Sequence, residues 1–472
     1  MNFKNIFRSF KNKDMLKRIL AIFGIIVAYR LLAHIPVPLG DASTFKEAIS
    51  NLIAQSDFGG LLNLISGGGL TAFSIILVGL GPYITASIVI QLLTKAIPSL
   101  EELSRDGETG RRKINQWTRI VTVPLAIIQS IAYIFILYQS VTSSGATLTF
   151  EPTTADWVLS VVAMTAGSTL LMWFGELITE QGIGNGISMM IFASIISQLP
   201  ATLTTLGNAL FDTSAGTLQL FGWFELPVNP TIFWIALGFV VAMLIVIYFL
   251  VKINEAQRII TINYAKRVHG NSTYGGIKSI LPIKLIAAGV IPVIFAAAFL
   301  SLPSLMGQVL VSANPNNSFG NTLLALFSAP SANTYASMYP DGLTAQWFVY
   351  PIAYFLLVVL FTYFYTSIIF NTREIADNLQ KQGGFIEGVR PGLQTADYLS
   401  RIINRLNLFG SIALGLIAML PFITDYIFIV ITGAPIGLSI SGTGLLIVVT
   451  VALESLRQLN SRALMVTYDE YE

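Results

Sequence analysis

Ten stretches of this chain are apolar for roughly 18 residues or more, and a polypeptide with that many has few folds open to it. They cover residues 18–35, 72–93, 120–141, 157–178, 187–206, 232–251, 285–302, 347–370, 402–422 and 436–456. About 20 predominantly apolar residues make a helix long enough to cross the hydrocarbon core of a bilayer. Within lipid, only helices and closed barrels satisfy every backbone group. Charged residues are 11% of the 472 and hydrophobic residues 54%, whereas soluble domains carry about 25% charged residues. The sequence therefore predicts an all-α polytopic membrane protein of ten transmembrane helices, and an even count puts both termini on one side.

The charges orient it. Lys4, Arg8, Lys11, Lys13, Lys17 and Arg18 precede the first run. They resemble the basic start of a signal peptide, but no small-residue cleavage site follows, so the run reads as a retained span. With a cytoplasmic N-terminus, every Lys and Arg except Arg30 and Lys46 falls on the cytoplasmic side. The opposite loops hold Asp41, Glu47, Asp57, Glu151, Asp156, Asp212, Glu225, Asp341 and Asp425. This is the positive-inside pattern, and a missed span would have broken it. Trp117, Trp157, Trp173, Trp223, Trp234 and Trp347 all lie at or just outside span ends, where an aromatic belt belongs.

The second run is interrupted. Gly79, Gly81 and Pro82 break its centre, which lipid tolerates only where neighbouring helices or a water-filled cavity satisfy the freed backbone groups. Upstream, Phe58, Gly59, Gly60, Leu61, Leu62, Asn63, Leu64 and Ile65 form an apolar segment too short to span, isolated by glycines on both sides (plug region 57–70). A broken span with a short hinged helix at its outer end suits a channel carrying its own stopper. Gly79-x-x-Pro82-x-Ile84 in span two returns as Gly289-x-x-Pro292-x-Ile294 in span seven. Five spans separate them, so the two helices cross in opposite directions, as in an inverted-topology duplication. A Gly-rich apolar chain can produce such a match by chance; the five-plus-five count favours duplication, with halves at 1–206 and 207–472.

The polar content excludes several functions. The middles of spans two to ten hold no ionisable residue, Glu176 and Glu454 lying near cytoplasmic ends, whereas coupled transporters usually carry such groups within their spans. Arg30 and His34 sit toward the outer end of span one, where snorkelling or a helix-end contact accounts for them. There is no H-E-x-x-H, Walker A or G-x-S-x-G pattern, and Gly182-x-Gly184-x-Gly186 follows no strand. With zero cysteines, no thiol catalysis, disulfide or Cys-ligated metal is open to it. No metal site and no cofactor is expected, and the chain does not read as an enzyme.

The cytoplasmic loops are the remaining clue. Loops 252–284 and 371–405 are long for helix connections, and long loops are usually functional or disordered. The first carries Arg258, Lys266, Arg267 and Lys278; the second carries Gly383-Gly384 and Arg390 within Gly388-Val389-Arg390-Pro391-Gly392. Basic, turn-rich protrusions suit docking of a large acidic partner, such as RNA or a protein surface. An arginine in a turn remote from any span suits that role, because its rigid guanidinium fork pairs bidentately with carboxylate or phosphate. Glu387, three residues earlier, leaves a structural ion pair open.

At this point the residues resemble a family. The stretch 74–93 with its G-x-G-P-Y-I core, and WFGELITEQGIGNGISMMI at 173–191, are similar to the two signature segments of the SecY family of protein-conducting channels. GETGRRK, NYAKR, NTREIADNLQKQGGFIEGVRPG and SGTGLLIVV match further SecY segments in order, so the resemblance covers essentially the whole chain. It implies two inverted five-helix halves clamped by a small SecE subunit, usually with SecG. The halves open between spans two and seven as a lateral gate. Through it, signal sequences and nascent membrane helices pass into lipid, while unfolded secretory polypeptides cross the membrane, driven by the SecA motor or a translating ribosome. It implies a bacterial inner-membrane location with cytoplasmic termini, residues 58–65 as plug, and Arg390, Lys266 and Arg267 at the partner-docking surface.

The family's pore ring carries over to Leu80, Ile84, Ile187, Ile191, Ile294 and Ile447, with leucine at 80 where isoleucine is common. Leu80/Ile84 and Ile187/Ile191 are i, i+4 pairs that present two aliphatic side chains on one helix face. A narrow ring of such side chains can dewet and block ions, yet deform around a passing polypeptide. Taken singly, each of these residues also fits plain helix packing. One departure stands out: Asn271, Ser272 and Thr273 occupy the loop tip where the family often has consecutive arginines. The exterior segment 304–346 carries no readable motif. Broken helices and inverted repeats would equally permit a small-solute transporter, against which the missing intramembrane carboxylates argue. A scaffold without a conduit would leave both breaks unexplained.

Overall fold

Each of the ten apolar runs contributes a helix to the computed structural model, which describes residues 13–38, 69, 72–143, 153–211, 218–220, 224–264, 267–269, 272–274, 278–286, 288–328, 348–432 and 442–469. In chain order the helices are α1 (Lys13–Leu32), α2 (Gly81–Ala96), α3 (Pro98–Arg105), α4 (Gly107–Ser143), α5 (Thr154–Gln181), α6 (Gly186–Leu210) and α7 (Pro230–Glu255). They continue as α8 (Ile291–Ala313), α9 (Ser318–Phe327), α10 (Val349–Ile369), α11 (Thr372–Lys381), α12 (Leu393–Thr432) and α13 (Gly442–Asp469). Among the described residues six helices are long and apolar enough to cross a membrane by themselves; they correspond to runs three, four, six, seven, eight and nine. The expected plug, Phe58 to Ile65, lies outside the described residues, as do Lys266 and Asn271.

Where helices begin and end follows from local chemistry. Thr153 caps α5 in a capping box with Asp156, whose side chain accepts from the Thr153 N–H (2.9 Å) and hydroxyl (2.7 Å). These bonds hold the Asp156 carboxyl below the usual carboxylate range. Asn185 caps α6 by accepting from the N–H groups of Ile187 and Ser188. Gly182, in the left-handed conformation, ends α5. At Ile97, before Pro98, the chain turns by 107° between α2 and α3.

The chain divides into two compact units. One draws on Met1–Gly238, Ala297–Pro351 and Phe422–Glu472. In it α1, α4 and α6 pack on α5, α2 packs on α4, and α13 packs on α6. Its core gathers Val37, Phe73, Leu77, Val78, Tyr133, Ile134, Leu137 and Met164. One side of α4 and α5 carries exposed Ile120, Val123, Val158 and Val162. This reverses the pattern of a soluble protein, because lipid tails are as apolar as the side chains.

The other unit draws on Phe239–Ala296 and Ile352–Pro421. Here the two long loops, 252–284 and 371–405, are one folded body. Strand β3 (Gln257–Tyr264) runs antiparallel to β6 (Lys278–Lys284), from Gln257↔Lys284 to Asn263↔Lys278. The last two residues of β3 pair with β7 (Gly384–Phe385) from the other loop. Ile260 and Ile262 are buried while Arg258, Ile259 and Thr261 are exposed, the alternation of a half-buried strand. Ile260, Ile283, Ile386, Leu399 and Ile403 form the core beneath. Short hairpins pair β1 (Leu218–Leu220) with β2 (Phe224–Leu226), and β4 (Arg267–His269) with β5 (Ser272–Tyr274). Loop 371–405 is thus mostly regular structure: α11, β7 and the start of α12. The first part of segment 304–346 is likewise helical, in α8 and α9.

Candidate functional site: two broken helices and a two-loop platform

The second apolar run is less helical than its hydropathy implies. Residues 72–80 form turns, and α2 begins only at Gly81. Gly79 adopts φ +62°, a left-handed backbone suited to glycine. Pro82 follows in the first turn, where a missing N–H leaves no helical bond unmade. The non-helical stretch is buried, as irregular backbone at membrane depth must be: Phe73, Ile76, Leu77, Val78 and Leu80 are almost fully enclosed. Its polar groups are paired. Ile75 N–H donates to the Ile35 carbonyl (3.0 Å), the Phe73 carbonyl accepts from Val37 N–H (2.9 Å), and the Gly79 carbonyl accepts from Ser168 Oγ of α5 (2.9 Å).

Closeness to α5 depends on small residues. A side chain on Gly167 would collide with the Ile75 carbonyl, and one on Gly186 with the Gly175 carbonyl. Gly175 itself lies under Ile187. Gly167, Ser168 and Gly175 are small residues of the kind that let helices approach closely in lipid.

The six expected ring residues divide between the units. Leu80, Ile84, Ile187, Ile191 and Ile447 belong to the first, Ile294 to the second. Leu80 stands at the N-cap of α2, and its carbonyl accepts from Ile84 N–H (3.0 Å), so the pair keeps the i, i+4 relation. Leu80, Ile84, Ile191 and Ile294 are buried; Ile187 and Ile447 are half-buried. On the antiparallel pair α6/α13, Gly444 faces Ile195, and Ser455 Oγ donates to Met189 Sδ at 3.5 Å. Ile191 and Ile447 both lie between these two contacts on their helices. Elsewhere in this unit, Glu176 is paired with Arg119 at 2.7 Å, and His34 Nδ1 donates to the Arg30 carbonyl at 2.9 Å.

The second break repeats the first in detail. Gly289 adopts φ +64°, α8 begins two residues later at Ile291, and Pro292 is its second residue. Ala288, Val290, Val293 and Ile294 are buried, and the Val293 carbonyl accepts from Tyr354 of α10 (3.3 Å). Phe295 meets Phe361 and Tyr365 edge-on, with centroids 6.1 Å away in each case. A side chain on Gly410 of α12 would collide with the Leu285 carbonyl. Leu285 precedes Gly289 by four residues, as Ile75 precedes Gly79. Gly167-Ser168 and Gly410-Ser411, in runs four and nine, are therefore a second repeated pair, again five spans apart.

On the platform Arg390 is exposed and, among the described residues, has no ion-pair partner; the open pairing with Glu387 does not form. Its carbonyl accepts from Thr395 Oγ1 (2.9 Å), and Gly388 (φ +80°) and Gly392 (φ +94°) turn the chain on either side. Arg267 opens β4, while Ser272 and Thr273 lie in β5.

Comparison with known proteins agrees with this geometry. The SecY family profile matches residues 74–456. The protein translocase subunits SecY of Streptomyces galbus (37% identical over 469 residues), Streptomyces griseus (39% over 472) and Corynebacterium glutamicum (37% over 470) each match over 98% of both chains. Two solved structures share the fold. A SecY protein studied for its plug domain, which stabilises the closed channel, has a TM-score of 0.59 at 19% identity, covering 93% of this chain and 90% of that one. Sec61 from a canine ribosome–channel complex has a TM-score of 0.54 at 18% identity, with the same coverage.

Proposed function

The chain belongs to the SecY family, and from that membership we propose that it forms a conduit for unfolded polypeptides between two inverted halves, residues 1–206 and 207–472. Ten helices span the bacterial cell membrane with both termini in the cytoplasm. Leu80, Ile84, Ile187, Ile191, Ile294 and Ile447 ring the waist, and residues 58–65 plug it from outside. The broken helices α2 and α8 flank the lateral gate. SecE and SecG complete the complex, and the platform receives SecA or the ribosome through Arg390, Lys266 and Arg267. The channel itself does no chemistry; its energy comes from that partner.

The observation that carries this reading is the matched pair of breaks. Two buried, non-helical openings at Gly79 and Gly289, each followed by a helix with a branched aliphatic residue in its first turn, are what a deformable seal between halves requires. The experiment is reconstitution of the chain with SecE, SecG and SecA in vesicles, followed by uptake of an unfolded preprotein. ATP-dependent protection of the preprotein from added protease is expected. Uptake of a small solute, independent of preprotein, would favour a transporter instead.

A further inference from the structure

The turn bearing Arg390 is pinned at three places, and two of them involve the other cytoplasmic loop. Residues 384–385 pair with the end of β3 (Tyr264↔Gly384, Asn263↔Phe385). Ile386 and, more peripherally, Val389 pack into a core shared with Ile260 and Ile283 of β3 and β6. Only the third tether, Thr395 Oγ1 to the Arg390 carbonyl, is local. Gly384 makes the first tether possible. It is buried, and a Cβ there would stand 3.1 Å from Tyr264 Cε1, 3.2 Å from Ile262 Cγ2 and 3.4 Å from the Leu379 carbonyl of α11. Its φ is not left-handed, so glycine is needed for space rather than for conformation.

We propose that Gly384 is a positioning residue that joins loops 252–284 and 371–405 into one docking body, so that Arg390 is presented by the strand β3 of the other loop. This rests on the docking role of Arg390 proposed above. A side chain at 384 pushes β7 off β3, releases Ile386 and Val389, and leaves Arg390 intact but without a fixed direction. A bidentate guanidinium contact depends on direction as much as on charge. The partner surface such an arginine fits is a carboxylate-bearing protein face, met also by Arg258, Lys278 and Lys284 of the other loop, although the platform carries exposed Glu374, Asp377 and Glu387 as well.

The test is a reversible staple. Asn263 and Phe385 are Cα partners across β3 and β7, and antiparallel partners stand about 4.5–5.5 Å apart, within disulfide reach. Asn263 Oδ1 is buried without a partner, so Asn263→Cys removes no bond from that atom, and a chain with zero cysteines gives an unambiguous cross-link. Four channels are compared in ATP-driven preprotein transport: wild type, Arg390→Glu, Gly384→Val, and Gly384→Val with Asn263→Cys and Phe385→Cys. Gly384→Val is expected to lower transport several-fold at equal membrane abundance, and oxidation of the stapled variant to restore it until reductant is added. Wild-type transport by Gly384→Val, or a fully formed staple that restores nothing, would overturn the positioning role. Wild-type transport by Arg390→Glu would instead overturn the docking role, so the two failures are distinguishable. Should Gly384→Val not accumulate, Gly384→Ala is read in the same way, since its Cβ alone asks the neighbours to yield by a few tenths of an ångström.

Discussion

At Gly79 and at Gly289 the backbone takes the same left-handed turn, φ +62° and +64°, two residues before a helix whose second residue is proline. A glycine of a neighbouring helix, Gly167 or Gly410, lies against the carbonyl four residues upstream of each turn, and a buried serine follows that glycine. There the likeness stops. Ser168 reaches across to the Gly79 carbonyl (2.9 Å), whereas Ser411 bonds the Leu408 carbonyl of its own helix (3.1 Å). The run before Gly79 is a buried stretch of turns, tied to residues 35–37; the run before Gly289 is a short link from strand β6 of the platform. One break is latched at its glycine carbonyl by a neighbour's serine; the other lacks that serine bond, is held by Tyr354 at the Val293 carbonyl, and is attached to the surface where the motor is proposed to dock. The same local signal thus sits in two different settings, and the difference lies in what tertiary surroundings do with a glycine, a proline and a serine.

The largest expected effect tests the likeness. Gly167→Val and Gly410→Val each force a side chain into a backbone carbonyl, and overpacking of this kind costs about 1–3 kcal/mol or more. Both variants should lose most of their folded protein from the membrane, measured by abundance and by thermal unfolding in detergent. If one is silent while the other fails, the repeat in spans four and nine is accidental.

Next comes the seal. Ile84→Asn and Ile294→Asn, one at each break, should both raise ion leak in planar bilayers, because the dewetting barrier depends on an apolar lining. Deleting residues 57–65 should leave the protein in the membrane and lengthen its transient openings. An unchanged conductance in all three would remove these positions from the pore.

The latch is a smaller matter. Ser168→Ala loses one interhelical hydrogen bond, worth about 0.6–1.7 kcal/mol in lipid, which converts to roughly three- to eighteenfold more frequent opening. Ser411→Ala should change almost nothing. Equal effects from the two serines would erase the distinction between a latched and an unlatched break.

The smallest effect concerns α5, on which the latch rests. Asp156 is held below its ordinary pKa by Thr153. Its contribution is therefore present above the unfolded carboxylate pKa, about 3.9, and is lost as pH falls through the still lower folded value. Thr153→Ala should speed amide exchange in the first turn of α5 at pH 5 and above. Toward pH 2 the difference should narrow to what the Thr153 Oγ1 cap on the Asp156 N–H contributes, and transport should be unaffected throughout.

Much of this was legible in the chain, and what was not has physical reasons. The two Gly-x-x-Pro breaks were readable because glycine and proline act on their own backbone, independently of distant partners. Gly167-Ser168 and Gly410-Ser411 were not singled out, because a small residue in an apolar helix looks alike whether it faces lipid or a carbonyl. The stretch Gln257–Tyr264 held a readable signal in its β-branched run Ile259-Ile260-Thr261-Ile262. Long basic loops drew attention to charge instead, and the pairing of β3 with Gly384, some 120 residues on, has no local cue. Helix α2 starts at Gly81 rather than at residue 72 because buried turns can satisfy the backbone through Ser168 and residues 35–37, which hydropathy does not report.

The central claim is that both breaks border one path for a polypeptide. A preprotein carrying a single cysteine can be arrested midway in channels bearing Ile84→Cys, Ile294→Cys or Val123→Cys, the last on the exposed groove of α4. The native chain has zero cysteines, so every disulfide is assignable. The account predicts cross-links at 84 and at 294, only while the preprotein is arrested, and none at 123. Cross-linking at 123 as strong as at the breaks, or at neither break, would contradict it.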